Sequence, residues 1–272
     1  LHMKAFCIFF LAIFSIKLLG ADIAVSSYPW QKTSITEMLA DFKKMGVRKA
    51  SMFQNIKIGG SGPNKNVIFH YKMPKMARDE AKKIFDDAGV KIISIGHISL
   101  SEESEIEKLF EFAKFFGIKY MTVEAPKSAL GIYDKLSAKY GIKAGLYNHP
   151  NRKSNPPPYS TPEKMLDAIR GKKNLGAFPD CGHWGRSGFD IVNCLKKLEG
   201  KLVGINIQDL SETKECETYG RGILPLESFI SELERSGFDG LCVVMFDAAN
   251  DRSQIDKIPD SVEYLTKRGL KK

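Results

Sequence analysis

The densest group of chemically capable side chains lies in Phe178-Pro-Asp-Cys-Gly-His-Trp-Gly-Arg-Ser-Gly188. Asp180, His183, Trp184 and Arg186 bring a carboxylate, an imidazole, an indole and a guanidinium onto one glycine-rich stretch, directly after the apolar run Leu175-Gly-Ala-Phe178. A strand that ends on a carboxylate and opens into such a loop is where α/β proteins place their chemistry. Taken singly, Asp180 could cap the next turn and His183 could be a surface histidine. The four together favour a site.

Other apolar runs end in the same way. Tyr120-Met-Thr-Val123 ends on Glu124, Lys143-Ala-Gly-Leu-Tyr147 on Asn148-His149, Leu202-Val-Gly-Ile-Asn-Ile207 on Gln208-Asp209, and Leu241-Cys-Val-Val-Met-Phe246 on Asp247. Carboxylates with imidazoles suit a divalent cation such as Mn, Mg, Co or Zn. They equally suit proton transfer beside a sugar carbonyl, with one group removing a proton and another returning it. Plainer roles stand beside these: an ion pair with a neighbouring-strand Lys or Arg for Glu124, a helix cap for Asp209, and rim packing rather than stacking on a sugar ring for Trp184. Arg186 suits stabilisation of an enolate-like oxyanion.

What would bring these residues together is the order of elements. Strands are expected at 23–26, 49–53, 90–95, 120–123, 143–147, 175–178, 202–207 and 241–246. Amphipathic helices alternate with them at 34–45, 75–88, 102–116, 127–140, 163–170, 190–198, 226–235 and 253–268, with Thr33 or Ser34 and Ser101 as caps of the first and third. Eight strand–helix units within 272 residues predict one α/β domain over 22–272, a closed (β/α)8 TIM barrel whose strand ends converge on one mouth. No Gly-x-Gly-x-x-Gly follows the first strand, which excludes the usual dinucleotide fingerprint. The long polar stretch 55–66 is expected to be functional or disordered, and loop 151–162, with three consecutive prolines, a semi-rigid lid or wall.

Residues 1–21 stand apart. Leu1-His2 reads as a cloning scar, and Met3-Lys4, the apolar run 5–16 and the small residues before Asp22 describe an export signal, predicting an exported, periplasmic protein with no membrane association after cleavage. The formal charge of +9 includes two lysines in that segment. Elsewhere Lys alternates with Asp and Glu, without the aromatic–basic pattern of a nucleic-acid binder, so none is expected as a partner. Cys181, Cys194, Cys216 and Cys242 form no Cys-x-x-Cys pair; Cys194 and Cys242 read as core thiols.

Val123-Glu-Ala-Pro126, Tyr147-Asn-His-Pro150, Asp180-Cys-Gly-His-Trp184, Ile207-Gln-Asp209 and Tyr219-Gly-Arg-Gly222 resemble the xylose-isomerase-like TIM barrels, the sugar phosphate isomerase/epimerase superfamily, across 22–272. Phe69-His-Tyr-Lys-Met-Pro74 is similar to a segment of that family after the second strand, which makes His70 a substrate-binding candidate. The resemblance implies a divalent metal held after strands four, six, seven and eight. Glu124 and Asp180 match; the strand-seven His falls on Asn206, a tentative replacement ligand, and the strand-eight Glu falls on Met245. The implied activity is a carbohydrate isomerase or epimerase working by proton abstraction next to a sugar carbonyl. His149, His183 and Glu124 are then its catalytic candidates, and His70, Trp184, Arg186, Asp209 and Asp247 bind a small carbohydrate. A lyase or hydratase on 3-keto-glycosides, or a sugar-binding barrel without turnover, are the alternatives, and a homo-oligomer is compatible with all of them.

Overall fold

The computed structural model describes residues 20–151, 154, 156–248 and 251–272. Nineteen of the 21 residues of the expected export signal, and part of the proline loop, therefore lie outside the described residues.

Eight parallel strands form the barrel: β1 (Asp22–Ser26), β2 (Lys49–Phe53), β3 (Lys91–Ile98), β4 (Tyr120–Val123), β5 (Lys143–Leu146), β6 (Leu175–Ala177), β7 (Gly204–Ile207) and β8 (Leu241–Val244). Neighbours in sequence pair from β1 through to β6, β8 lies between β1 and β7, and the ring closes where Ala177 N donates to Lys201 O (2.8 Å) and Asn206 N to Pro179 O (2.8 Å). The expected (β/α)8 barrel is thus the observed one. Because helices cover the outside and side chains fill the inside, strands such as β7 and β8 are buried at every residue.

The surrounding helices are α1 (Ile35–Met45), α2 (Lys75–Ala88), α3 (Glu103–Phe116), α4 (Leu130–Tyr140), α5 (Pro162–Ile169), α6 (Cys181–Arg186), α7 (Ile191–Lys197), α8 (Leu226–Arg235), α9 (Arg252–Ile255) and α10 (Ile258–Thr266). Ser34 caps α1, its hydroxyl accepting from Glu37 N and donating to the Glu37 carboxylate (2.8 Å). Ser101 is not the cap of α3; Glu102 occupies that position without a side-chain bond. The last expected helix is broken into α9 and α10. A short helix, α6, occupies Cys181–Arg186, where only a loop was expected.

Two hydrophobic regions result. The larger packs the helices onto the outer face of the barrel, while Ala24, Ile93, Phe178, Leu241 and Val243 form a separate plug inside it. The plug depends on glycines: a Cβ on Gly204 would lie 2.5 Å from the Phe178 ring, and one on Gly145 would lie 2.5 Å from Val203. Stretch 55–66 proves to be part of the scaffold. Ile56 and Ile58 are fully buried, and Ile35 N donates to Lys57 O (2.8 Å), docking the stretch on the start of α1.

After β7 the chain is held by Asp209, which is wholly buried. One carboxylate oxygen accepts from Gly220 N (2.9 Å) and Gly222 N (3.0 Å), and the other from Leu210 N (2.9 Å) and Leu224 N (3.2 Å). The carboxylate is thereby consumed in folding the polar loop 211–224 back over the barrel end. Asp209 is accordingly no substrate ligand, and neither is it a helix cap.

Two outcomes follow from this packing. Gly204→Ala forces a methyl into the Phe178 ring and is expected to cost about 1–3 kcal/mol, roughly 2–10 °C in Tm for a domain of this size, measured by calorimetry. Asp209→Ala strands four backbone donors and is expected to lower stability by at least about 3 kcal/mol. Amide exchange should quicken first at Gly220, Gly222 and Leu224; unchanged exchange there would refute the assignment.

Candidate active site

The strand ends converge as the barrel requires. Glu124 follows β4, Tyr147 and His149 follow β5, Asp180 follows β6, Gln208 follows β7 and Asp247 follows β8. Two layers can be distinguished.

The inner layer is a hydrogen-bonded ring. Arg186 Nη1 lies 3.3 Å from His183 Nδ1, His183 Nε2 lies 2.9 Å from Tyr147 Oη, and Tyr147 Oη lies 3.3 Å from Asp180 Oδ2. On the other side, Gln208 Nε2 donates to both Asp180 oxygens (2.8 and 2.7 Å), while Gln208 Oε1 accepts from Arg186 Nη2 (3.0 Å). A guanidinium only donates and a carboxylate only accepts, so the directions are fixed. Arg186 donates to His183 Nδ1, which leaves the proton on Nε2 for the Tyr147 hydroxyl, and that hydroxyl donates to Asp180. The same logic fixes the Gln208 amide. A largely buried cation and a fully buried anion are therefore joined through two neutral arms rather than by direct contact.

Local structure sets up this ring. Asp180 is the N-cap of α6, accepting from His183 N (3.2 Å), and that turn brings the His183 ring to 5.7 Å from that of Tyr147, just after β5. Asn148 locks the Asp180 backbone on both sides, accepting from Asp180 N (2.6 Å) and donating to Asp180 O (3.2 Å). Burial holds the His183 imidazole down to about 4, so it is neutral throughout the physiological range. Burial, reinforced by Asp180 and Asp247, pushes the Tyr147 hydroxyl well above the usual phenol range, so it stays a donor.

The outer layer faces the mouth. His149 Nε2 and Glu124 Oε2 are 3.0 Å apart, with 36% and 22% of the two side chains exposed. The hydrogen bond to Glu124 raises the His149 pKa above the ordinary imidazole value, against the effect of partial burial. Its ring stands 5.4 Å from that of His183, 5.2 Å from that of Tyr147 and 5.8 Å from that of His97. Burial, with Asp180 nearby, raises the Asp247 carboxyl to about 6, although Arg186 opposes the shift.

Several expected residues lie elsewhere in role or position. Trp184 is fully buried within the helix-side core, so packing leaves it no face for a sugar. His183 is 3% exposed with both ring nitrogens engaged, which makes it a positioning residue. His70 lies against Tyr71 and within the fields of Lys72 and Glu105, on the α3 side and not among the rings of the cluster.

Nor do the donors fit a divalent metal. Both Asp180 oxygens already accept from the Gln208 amide, Glu124 is paired with His149, and Asn206 and Met245 are neutral. No three His, Cys, Asp or Glu side chains gather as a metal site among the described residues. All four cysteines of the described residues are free and buried.

Two participants escape a reading of strand-end motifs. His97 belongs to β3, which runs past Gly96 to Ile98 and shifts register against β4 between Ile95 and Ile98, whereas periodicity alone stops the strand at Ile95. Its ring centre lies 3.6 Å from that of Tyr147, and burial holds it neutral, well below the ordinary imidazole range. Tyr147 stands in the Tyr147-Asn-His-Pro150 motif, but as the end of an apolar run it draws no chemical role from the sequence.

At the opposite end of the barrel a cleft of about 460 Å³ opens between Lys143, Lys172, Lys173 and Lys201. It carries no acid–base pair and lies far from the strand ends that hold the cluster.

Comparison with known proteins agrees with this architecture. The family described as xylose isomerase-like TIM barrel matches residues 53–268. A protein of Parabacteroides distasonis of known structure is 28% identical, with a TM-score of 0.73 over 91% of this chain and 99% of its own. A D-tagatose 3-epimerase-like protein (20% identity, TM-score 0.69, 91% and 98% covered) shares the fold. So does the 3-keto-D-glucoside 4-epimerase of E. coli (15%, 0.66, 91% and 99%). No curated protein matches. With eight parallel strands, motifs at their ends and a family match over most of its length, the chain belongs to the xylose isomerase-like TIM barrels.

Proposed function

We propose that the protein is a carbohydrate isomerase or epimerase that abstracts a proton from the carbon next to a sugar carbonyl. The observation that carries this reading is the Glu124–His149 pair at the mouth. Glu124 accepts from Nε2, which leaves Nδ1 of the neutral ring without a hydrogen-bond partner among the described residues. That nitrogen is the base: it takes the proton, and Glu124 stabilises the imidazolium that forms. Behind it His183, Tyr147 and Asp180 hold one fixed hydrogen-bonding pattern, so the mouth does not rearrange during transfer. The 3-keto-D-glucoside 4-epimerase and the D-tagatose 3-epimerase-like protein that share this fold support the substrate class, and residues 1–21 support an exported protein meeting free rather than phosphorylated sugars.

A second reading shares the first step. Asp247, raised to about 6 by burial, retains a share of carboxylic acid at neutral pH and could protonate a departing glycosidic oxygen, giving a lyase on 3-keto-glycosides.

Incubation in D2O with D-tagatose, D-fructose and a 3-keto-D-glucoside, followed by proton NMR, tests the reading. Loss of the signal next to the carbonyl, with or without an epimer or an elimination product, is the expected result. Binding without exchange would make the protein a sugar-binding barrel, and neither binding nor exchange would defeat the carbohydrate assignment. His149→Ala is expected to lower kcat by about 10²–10⁴-fold. Glu124→Gln removes the interaction that raises the His149 pKa, so the ring loses its proton at lower pH. The acid limb of kcat/KM should then shift to lower pH, with a reduced plateau.

A further inference from the structure

The ring leaves one donor unspent. Arg186 has five N–H groups: Nε donates to Lys214 O (3.2 Å), Nη2 to Gln208 Oε1 (3.0 Å) and Cys216 Sγ (3.3 Å), and one N–H of Nη1 to His183 Nδ1 (3.3 Å). The second N–H of Nη1 has as its charged neighbour Asp247 Oδ2, 4.0 Å away, beyond hydrogen-bond reach. Arg186 is 17% and Asp247 28% exposed at the side chain, so both reach the mouth. Beneath them, the Gln208 amide occupies the carboxylate of Asp180, where a cation would otherwise be attracted.

We propose that this protein replaces the divalent cation of its family by the Arg186 guanidinium, and that the free Nη1–H and the Asp247 carboxyl together receive one carbonyl oxygen of the substrate. The proposal rests on the carbohydrate reading above for its substrate, but its claim about metal stands independently. A guanidinium supplies fixed positive charge and a directed donor without a coordination sphere. In the step itself, His149 Nδ1 takes the proton from the carbon beside the carbonyl. The C–H electron pair becomes the new C=C bond, the carbonyl π pair moves to oxygen, and the Asp247 carboxyl gives that oxygen its proton. An enol, an imidazolium and a carboxylate result. The His149 imidazolium then returns its proton, or one exchanged with solvent, to the carbon while the enol proton goes back to Asp247, which restores every group and consumes no co-reactant.

The wiring explains why arginine is used in this way. Four of its donors are spent on Lys214, Gln208, Cys216 and His183, so the planar group is held in one orientation and the fifth N–H is aimed. Lysine at this position could keep the charge but not the fork.

The experiment has an arm that needs no substrate. Mn(II), a paramagnetic probe, is titrated into the full chain while the ring protons of His149 and His183 are followed by NMR. No selective broadening is expected, whereas stoichiometric broadening of both rings would overturn the proposal. In the second arm, hydrogen–deuterium exchange of the most responsive of the three keto-sugars is measured after chelator treatment. Exchange should persist; its loss and recovery with Mn(II) or Zn(II) would overturn the proposal. Asp247→Asn keeps the shape but cannot supply the proton, and exchange should fall by at least about 10²-fold with Mn(II) still unbound; full retention would overturn the role of Asp247. Arg186→Lys should lower kcat more than it raises KM, since the oxygen gains its charge in the transition state. Should none of the sugars exchange in the unaltered protein, the proton-abstraction reading fails, and the carbohydrate assignment with it if none binds, while the Mn(II) titration still decides the metal.

Discussion

The buried attraction between Arg186 and Asp180 is the constraint on which the rest of the barrel mouth depends. Two opposite charges withdrawn from water need either direct contact or a complete set of polar partners, because an unmatched one costs several kcal/mol. Here the partners are neutral: an amide on one arm, an imidazole and a phenol on the other. Since the guanidinium can only donate and the carboxylate can only accept, every group between them has one permitted orientation. The tautomer of His183 and the face of Gln208 are consequences of that polarity. Removing any member would strand its neighbours, and the cost would exceed that of a single hydrogen bond.

The same arrangement separates the titrating groups. His183 and His97 are driven neutral by burial, so the protein carries imidazoles at the mouth that do not compete for protons near neutral pH. His149, tied to Glu124, moves the other way, and Asp247 is pushed up to about 6. Environments that push titratable groups apart are how acid and base roles are divided within one small volume. The two shifts also act on stability. Asp247 binds its proton more tightly folded than unfolded, so its contribution falls as pH rises from the ordinary carboxylate range through about 6. For His149, likewise raised, the contribution is complete below the unfolded imidazole value and is lost as pH climbs through the higher folded one.

The barrel was legible because its signal is periodic and repeated: each apolar run of four to six residues followed by an amphipathic stretch marks one strand–helix unit, and small errors at one boundary leave the others intact. Acidic and imidazole residues at the ends of β4, β5, β6 and β8 were legible for the same reason. What could not be read was direction and depth. Trp184 and Asp209 look as exposed in sequence as His149 does, yet α6 turns the indole into the core and loop 211–224 folds over the carboxylate. Gln208 and Tyr147 carry no charge and stand in their motifs beside Asp209 and His149, which draw the chemical reading to themselves, so their importance emerges only once Asp180 and Arg186 are seen on either side of them. His97 was hidden by the register shift in β3. The stretch 55–66, polar enough to suggest a functional loop, is scaffold because two isoleucines within it are fully buried.

How the mouth handles oxygen bears on which carbonyl chemistry it favours. A divalent cation with open positions can bind two adjacent sugar oxygens at once. Arg186 has a single N–H without a partner among the described residues, and in the proposal above it forms one oxygen-binding corner with Asp247. Under the proposed reading, one polarised oxygen is sufficient to acidify a C–H beside a ketone that already exists. Moving a carbonyl from one carbon to the next asks more, since both oxygens must exchange protons and share the developing charge. A corner of this kind therefore suits epimerisation or elimination next to a preformed ketone better than interconversion of an aldose and a ketose. The neutral His97, Tyr147 and His183 rings behind it fit the same preference: they form a wall without ionic charge, against which an uncharged sugar loses little on desolvation and a phosphorylated one would lose much.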